Sequence, residues 1–279
     1  MGIIIGLDVG TSMTKLAALD DEKKLVYTER VSAADQLTAI FGAVGRLIYE
    51  KGIGRDQIRK IMVTGVGGSF LKGDIFGIPF TRVDEIKAIG RGGLYISGLE
   101  RALVVSLGTG TTFVQAGPGQ ILHAGGMAMG GGTLMGMASW MLGVRDFEDL
   151  RRMADKGDLH RVDRFMNEIS LDQVSMLPDY ATASNMGRMD PDTRKEDAAL
   201  GLFNLIYQNV GITTVFACRN MNVDQAVMTG SLACADQVRL FLTQVADLYG
   251  MDFYFDKNAA CATAAGAALF GFDGQREGK

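Results

Sequence analysis

Hydrophobic and polar positions follow one order of strands and helices twice along the chain. Ile3 to Asp8 is a compact β-branched run ending at Gly10, the pattern of a buried strand. Met13 to Leu19 and Lys24 to Val31 read as two further strands. The turns between them are Gly10-Thr11-Ser12 and Asp20-Asp21-Glu22, so the three form an antiparallel meander. Leu37, Ile40, Phe41, Val44, Leu47 and Ile48 repeat at helical spacing, which predicts an amphipathic helix over 34–51 with Gly52 as its C-terminal cap. Ile58 to Thr64 is the next strand and leads into Gly65-Val66-Gly67-Gly68. A short strand over 80–83 precedes a helix from Glu85 to about Tyr95, with Asp84 placed to cap it.

The second unit begins near residue 102. Ala102 to Leu107, Thr111 to Ala116 and Gln120 to Ala124 read as strands, joined at Gly108-Thr109-Gly110 and Pro118-Gly119. A glycine cluster and a helix over 133–142 follow. The stretch from Phe147 to Asn209 is mostly helical and charged, and 195–220 reads as one or two long helices with a break near Gly211. A strand over 225–228, a helix over 233–249, a strand over 252–255 and a helix over 261–270 close the pattern. A repeated meander-then-helix unit predicts two similar α/β lobes with a cleft between them.

Composition narrows the function. The chain has 279 residues, 47% hydrophobic and 22% charged, which is globular rather than disordered. A net charge of -4 disfavours a general nucleic-acid binder. Any phosphate site must therefore come from local geometry. There are 37 glycines against 4 prolines, and the glycines cluster, as expected where backbone approaches a ligand closely. The 16 methionines read as adaptable core filling. Cys218, Cys234 and Cys261 have no CxxC spacing, and the only histidines are His123 and His160. That supply excludes a disulfide framework, a structural zinc site and Ser-His-Asp catalysis, and it favours a reducing cytoplasm. No unbroken apolar run suggests a membrane span, and the first residues do not read as a signal peptide.

Five places could carry chemistry. The turn from Asp8 through Val9, Gly10, Thr11, Ser12, Met13 and Thr14 to Lys15 could bring N–H groups and hydroxyls to phosphate oxygens, with Asp8 holding the water shell of Mg²⁺. Its alternative is an ordinary hairpin. Gly108-Thr109-Gly110-Thr111-Thr112 is the equivalent turn of the second unit, and two such turns facing across a cleft would grip a polyphosphate. Gly125 to Thr133 is expected to open a helix whose free N–H groups attract anions. Thr229-Gly230-Ser231 pairs with the small-residue stretch Ala259 to Ala268, which either makes room for an adenine ring or serves helix packing. Glu85, beside Asp84, is either a helix-dipole partner or a functional acid.

The chain resembles the type II pantothenate kinases of the acetate and sugar kinase/Hsp70/actin superfamily. The match runs through DVGTSMTK, VDEIKAIGRGGLY, SLGTGTT, GGGTLMG, FEDLRRMADKGD, LPDYATASNMG, KEDAAL and VMTGS in order. The resemblance implies an actin-like, ribonuclease H-like fold with a nucleotide cleft between a lobe over 1–98 and a lobe over 99–279. It implies ATP- and Mg²⁺-dependent phosphorylation of pantothenate and a homodimer built through the helical second lobe. Asp8 to Lys15, Thr109, Gly131, Gly132, Thr133, Leu134, Met135, Phe147 and Ser231 would meet ATP, and Asp8 the metal through water. Glu85 matches the general base, and Ser106 and His123 fall beside the substrate.

Two departures stand out. The first turn carries Thr11 and Ser12 where the family usually has a second glycine. His123 replaces an arginine, and arginine alone stays charged and binds oxyanions through a two-pronged fork. The alternatives are a kinase of the same fold acting on pantetheine or a sugar, a weakly catalytic ATP-binding regulatory module, and an ATP-driven conformational module like the dehydratase activators.

Overall fold

The computed structural model describes residues 2–169, 178 and 181–273. Strands β1 (Ile3–Val9), β2 (Thr14–Leu19) and β3 (Leu25–Val31) form the first antiparallel meander. β4 (Ile58–Thr64) runs parallel to β1, and β5 (Phe80–Arg82) parallel to β4, giving the order β3-β2-β1-β4-β5. The second meander is β6 (Ala102–Leu107), β7 (Thr111–Gly117) and β8 (Gln120–Met127). A small hairpin of β9 (Arg164–Phe165) and β10 (Thr182–Ser184) stands apart. β11 (Gln225–Thr229) and β12 (Asp252–Phe255) complete a second sheet in the order β12-β11-β6-β7-β8. Strand for strand, the two sheets have the same arrangement: three antiparallel strands, then two parallel ones beside the first. The expected topological repeat is thus present.

The helices are α1 (Gln36–Lys51), α2 (Glu85–Ser97), α3 (Gly131–Leu142), α4 (Phe147–Ala154), α5 (Met166–Ile169), α6 (Lys195–Met221), α7 (Asp236–Tyr249) and α8 (Ala262–Leu269). Local chemistry sets their ends. The Asp35 carboxylate accepts from Thr38 N–H at the start of α1, and Gly52 closes it in the left-handed conformation at φ 62°. Ile40, Ala43, Val44 and Leu47 press α1 onto the face of the first sheet that carries Ile5, Leu7, Val9, Ile61 and Val63. The larger core of the second sheet is built around α6, with Phe203, Ile206, Tyr207 and Val210 fully buried.

Helix α6 is continuous, which corrects the expected break near Gly211. Gly211 lies against Val245 of α7, where an added Cβ would stand 3.0 Å from the valine side chain. Close helix packing offsets glycine's low propensity there. The helix is long and apolar enough to cross a membrane, but much of it is buried in this core. The helix expected over 233–249 instead begins as a 3-10 turn over Ser231–Cys234, followed by α7. Of the LPDYATASNMG match, Leu177, Asp179 and Tyr180 lie outside the described residues, as do 170–176 of the stretch read as helical.

The two sheets exchange helices. α2 follows β5, yet Gly90 faces Val114 and Ile121 of the second sheet, and Gly93 faces Val104. α8 follows β12, yet Ile4 and Met62 of the first sheet cluster with its Ala267, Ala268 and Leu269. The two helices meet backbone to backbone. An added Cβ on Gly92 would lie 2.0 Å from Ala262 O, on Gly266 1.9 Å from Ala88 O, and on Gly6 of β1 1.8 Å from Ala264 O. The small residues of 262–268 are thus used for this contact, and all of α8 is buried. Ala259–Cys261 instead form a 3-10 turn beside the loop after β11, where Gly230 N–H donates to Ala259 O at 2.8 Å.

Gly92→Ala and Gly266→Ala are each expected to destabilise the protein by about 3 kcal/mol or more, because backbone rather than a flexible side chain must move. Gly136→Ala in α3 meets no atom within 4 Å and should stabilise by about 0.5–1 kcal/mol. Urea unfolding of the three variants checks the contrast.

Candidate active site

The turn between β1 and β2 is closed by Gly10 N–H donating to Met13 O at 3.1 Å. Antiparallel register puts Asp8 directly across from Lys15. Lys15 Nζ stands 3.0 Å from Asp8 Oδ2, with both side chains mostly shielded from solvent. Thr11 and Ser12 are exposed at the tip, whereas Val9 and Thr14 are buried.

The second turn is tied to the start of α3. Gly108 N–H donates to Gly110 O at 2.9 Å. Gly131 N–H donates to Gly108 O at 2.9 Å and Gly132 N–H to Thr109 O at 2.8 Å. This corrects the expectation of free N–H groups there: those of Gly131 and Gly132 hold the turn. Their neighbours Gly125, Gly126 and Met127 belong to β8, which outlasts its expected end at Ala124. Gly125 turns through φ 147° where the β7–β8 register shifts. Thr133 Oγ1 donates to Ala128 O at 3.0 Å, Leu134 is buried in the core and Met135 is partly buried.

The loop after β11 joins this group. Gly230, at φ 91°, presses on Leu107, where an added Cβ would stand 2.3 Å from the carbonyl oxygen. The next residues bring Ser231 into the same region, and Leu232 packs beside Gly131. Thr109, Gly131, Gly132 and Ser231 are thus gathered at one end of the second sheet. Phe147 opens α4 and packs edge-on against Phe203, ring centroids 6.0 Å apart.

Glu85 is the first residue of α2, and the Asp84 carboxylate caps that helix by accepting from Lys87 N–H at 2.9 Å. The carboxyl of Glu85 opens onto solvent but is flanked by protein. Partial desolvation raises its pKa above the ordinary glutamate value, the charge of Asp8 adds to this, Lys15 opposes it and Asp84 adds further. The exchanged helix α2 therefore carries Glu85 into the electrostatic reach of the first turn. Ser106 lies in β6 two residues after Val104, on the face that α2 covers. His123 pairs with Val114 in the β7–β8 register and belongs to that same face.

Two residues outside the sequence reading belong here. Arg82 Nη2 reaches Gly68 O at 3.2 Å and Leu71 O at 3.4 Å, fastening the loop after β4 close to the start of α2. Thr64 ends β4 beside Asp8. Its signal was the recurrence of Thr-Gly after the fourth strand of each unit, Thr64-Gly65 and Thr229-Gly230.

In the free protein, a carbon NMR titration should find the Glu85 carboxyl titrating above ordinary glutamates. Asp8→Asn removes a repulsive charge and should move that titration to lower pH. Lys15→Met removes an attractive charge and should move it to higher pH. Shifts of the opposite sign would dissolve the electrostatic grouping.

The Fumble family model matches residues 101–262. The chain is 23% identical to a type II pantothenate kinase of Bacillus cereus (strain G9842), over 95% of this chain and 97% of that protein. It is 28% identical to a type II pantothenate kinase of Oceanobacillus iheyensis, over 73% and 79%. Among solved structures it resembles the activator of the 2-hydroxyisocaproyl-CoA dehydratase from Clostridium difficile with bound ADPNP. That likeness has a TM-score of 0.68 at 19% identity, covering 99% of this chain and 98% of that one. It also resembles a ROK family glucokinase from Streptomyces griseus in complex with glucose and AMPPNP, with a TM-score of 0.60 at 13% identity, covering 96% and 99%. These structures establish the two-lobed, actin-like fold. With more than half of its length matched by the family model, the chain belongs to the Fumble family.

Proposed function

We propose that this protein transfers the γ-phosphoryl group of ATP to the primary hydroxyl of pantothenate, forming 4'-phosphopantothenate at the entry to coenzyme A synthesis. The observation that carries the reading is the grouping of Glu85 with the Asp8–Lys15 pair at the start of the exchanged helix. The type II pantothenate kinases that align over most of the chain supply the substrate.

An unactivated alcohol needs a base as it attacks. Glu85, whose pKa is raised by partial desolvation and by the charge of Asp8, is suited to take the hydroxyl proton. Lys15 offers positive charge beside the transferring group, and the exposed tip of the turn, Thr11 and Ser12, offers N–H and hydroxyl donors. Thr109, Thr133, Met135, Phe147 and Ser231 lie on the nucleotide side of this reading, with Gly131, Gly132 and Leu134 shaping the turn and helix beneath it. Ser106 and His123 stand on the acceptor side. No group of three or more His, Cys, Asp or Glu is placed to hold a metal ion among the described residues. A lone carboxylate, Asp8, suits a Mg²⁺ ion that keeps its waters and binds mainly through nucleotide phosphates. Bound there, Mg²⁺-ATP supplies the phosphoryl group and the neutralising charge.

The reading includes a cytoplasmic location, two lobes over 1–98 and 99–279 in each chain, and a homodimer built through the helical second lobe. Trp140 on α3 is an exposed aromatic side chain of the helical second lobe, which supports pairing there. The activator-like alternative needs cluster-ligating cysteines. Here Cys218 and Cys261 are buried, and only Cys234 is exposed.

ADP release with pantothenate, pantetheine, glucose and no acceptor tests the reading, with turnover expected on pantothenate. Glu85→Gln should keep nucleotide binding and lose about 10²–10⁴ in rate. His123→Arg should raise kcat/KM for pantothenate at pH 8, where a permanent charge replaces imidazole. Turnover on another acceptor alone would replace the substrate and keep the kinase.

A further inference from the structure

The parallel register of β1 and β4 sets Asp8 and Thr64 side by side at the strand ends. Alternation fixes which way they face. Leu7, Val9, Ile61 and Val63 pack in the cluster beneath α1. Ile4 and Met62 pack on the opposite side, with α8. Asp8 and Thr64 share the parity of Ile4 and Met62, so both face the α2–α8 side. β4 also lies between β1, which carries Asp8 next to its last residue, and β5, which leads to Glu85. Thr64 therefore stands between the two carboxylates of the candidate active site.

Its hydroxyl is 2% exposed as a residue, and Thr64 Oγ1 has no hydrogen-bond partner among the described residues. Buried hydroxyls are normally paired, and one that is not calls for a reason. The fold contains its own control. Thr229 occupies the same place at the end of the fourth strand of the second unit, and its Oγ1 donates to Val105 O at 3.2 Å. Thr229 faces Ser106 in the register, where Thr64 faces Asp8. The hydroxyl is satisfied within the fold on the side without the carboxylate, and is left unpaired on the side with it.

We propose that Thr64 is a positioning residue whose hydroxyl hydrogen-bonds the water shell of the divalent cation held by Asp8. The proposal rests on the kinase reading above. It implies opposed effects in the free and loaded protein. Thr64→Val keeps the shape and removes a buried polar group that lacks a protein partner, so the free protein should melt at an equal or higher temperature. The same variant should bind Mg²⁺-ADP about 3–10-fold more weakly, the worth of one hydrogen bond, with ADP binding in EDTA little changed. Thr64→Ser, which restores a hydroxyl, should recover most of the affinity. Thr229→Val breaks a bond internal to the fold and should lower the melting temperature.

Calorimetric titration with Mg²⁺-ADP and thermal melts of the free variants decide the matter without any acceptor substrate. If Thr64→Val melts as low as Thr229→Val, or binds Mg²⁺-ADP like the parent protein, the positioning role is overturned. If the parent protein itself does not bind Mg²⁺-ADP, the kinase reading fails first. That result is distinguishable because it appears before any substitution.

Discussion

Everything at the candidate active site depends on two helices approaching each other with no side chains between them. α2 and α8 meet at Gly92 and Gly266, and β1 admits α8 at Gly6. Contacts this close exclude even a methyl group, so the helices have little freedom to slide or tilt against one another. Each helix belongs by sequence to one sheet and packs on the other. The exchange braces the two lobes against each other along their shared floor. It also carries Glu85 from the end of the first sheet into the electrostatic reach of Asp8 and Lys15.

The electrostatics follow from that placement. Asp8 and Lys15 are partners within one hairpin, a pair set by antiparallel register alone. Glu85 joins them only because α2 begins beside the end of β1. The neighbouring Asp8 then works against ionisation of Glu85 while Lys15 favours it. The balance leaves the carboxyl more basic than an ordinary glutamate. In the proposed reaction the same hairpin would serve two ends, a carboxylate for a hydrated cation and a charge environment for Glu85.

The duplicated topology explains why the glycine clusters are not equivalent. Gly65 and Gly230 occupy matching places and press on the ends of β1 and β6, both with positive φ. They close the floor of each lobe. The Gly130–Gly132 cluster acts differently, because its N–H groups fasten the second turn to α3. Gly130 approaches Gly110 so closely that an added Cβ would stand 2.9 Å from its backbone. Rigidity of the second turn therefore comes from the helix that follows it, whereas the first turn relies on its own hairpin.

Strands, most helices and both turns were legible in the sequence because they rest on short-range rules. Alternation, helical spacing, the Asp35 and Asp84 caps and the Gly52 terminus each act over a few residues. Asp8, Lys15 and Glu85 were legible as candidates through their motifs, and the Asp8–Lys15 pairing follows from a two-stranded register. Tertiary structure decided what local pattern leaves open. Gly211 sits inside one long helix because Val245 fills its flank. Gly125 and Gly126 extend a strand because β7 pairs with them. The small residues of α8 make a helix contact, since their partners lie about 170–260 residues earlier in the chain, at α2 and β1. Thr64 carried in sequence only the recurrent Thr-Gly, because its meaning lies in a missing partner. Only a folded sheet, with Asp8 beside it and Thr229 as its bonded counterpart, reveals that. Local rules settle which elements form, and long-range packing settles which polar groups are left for a ligand.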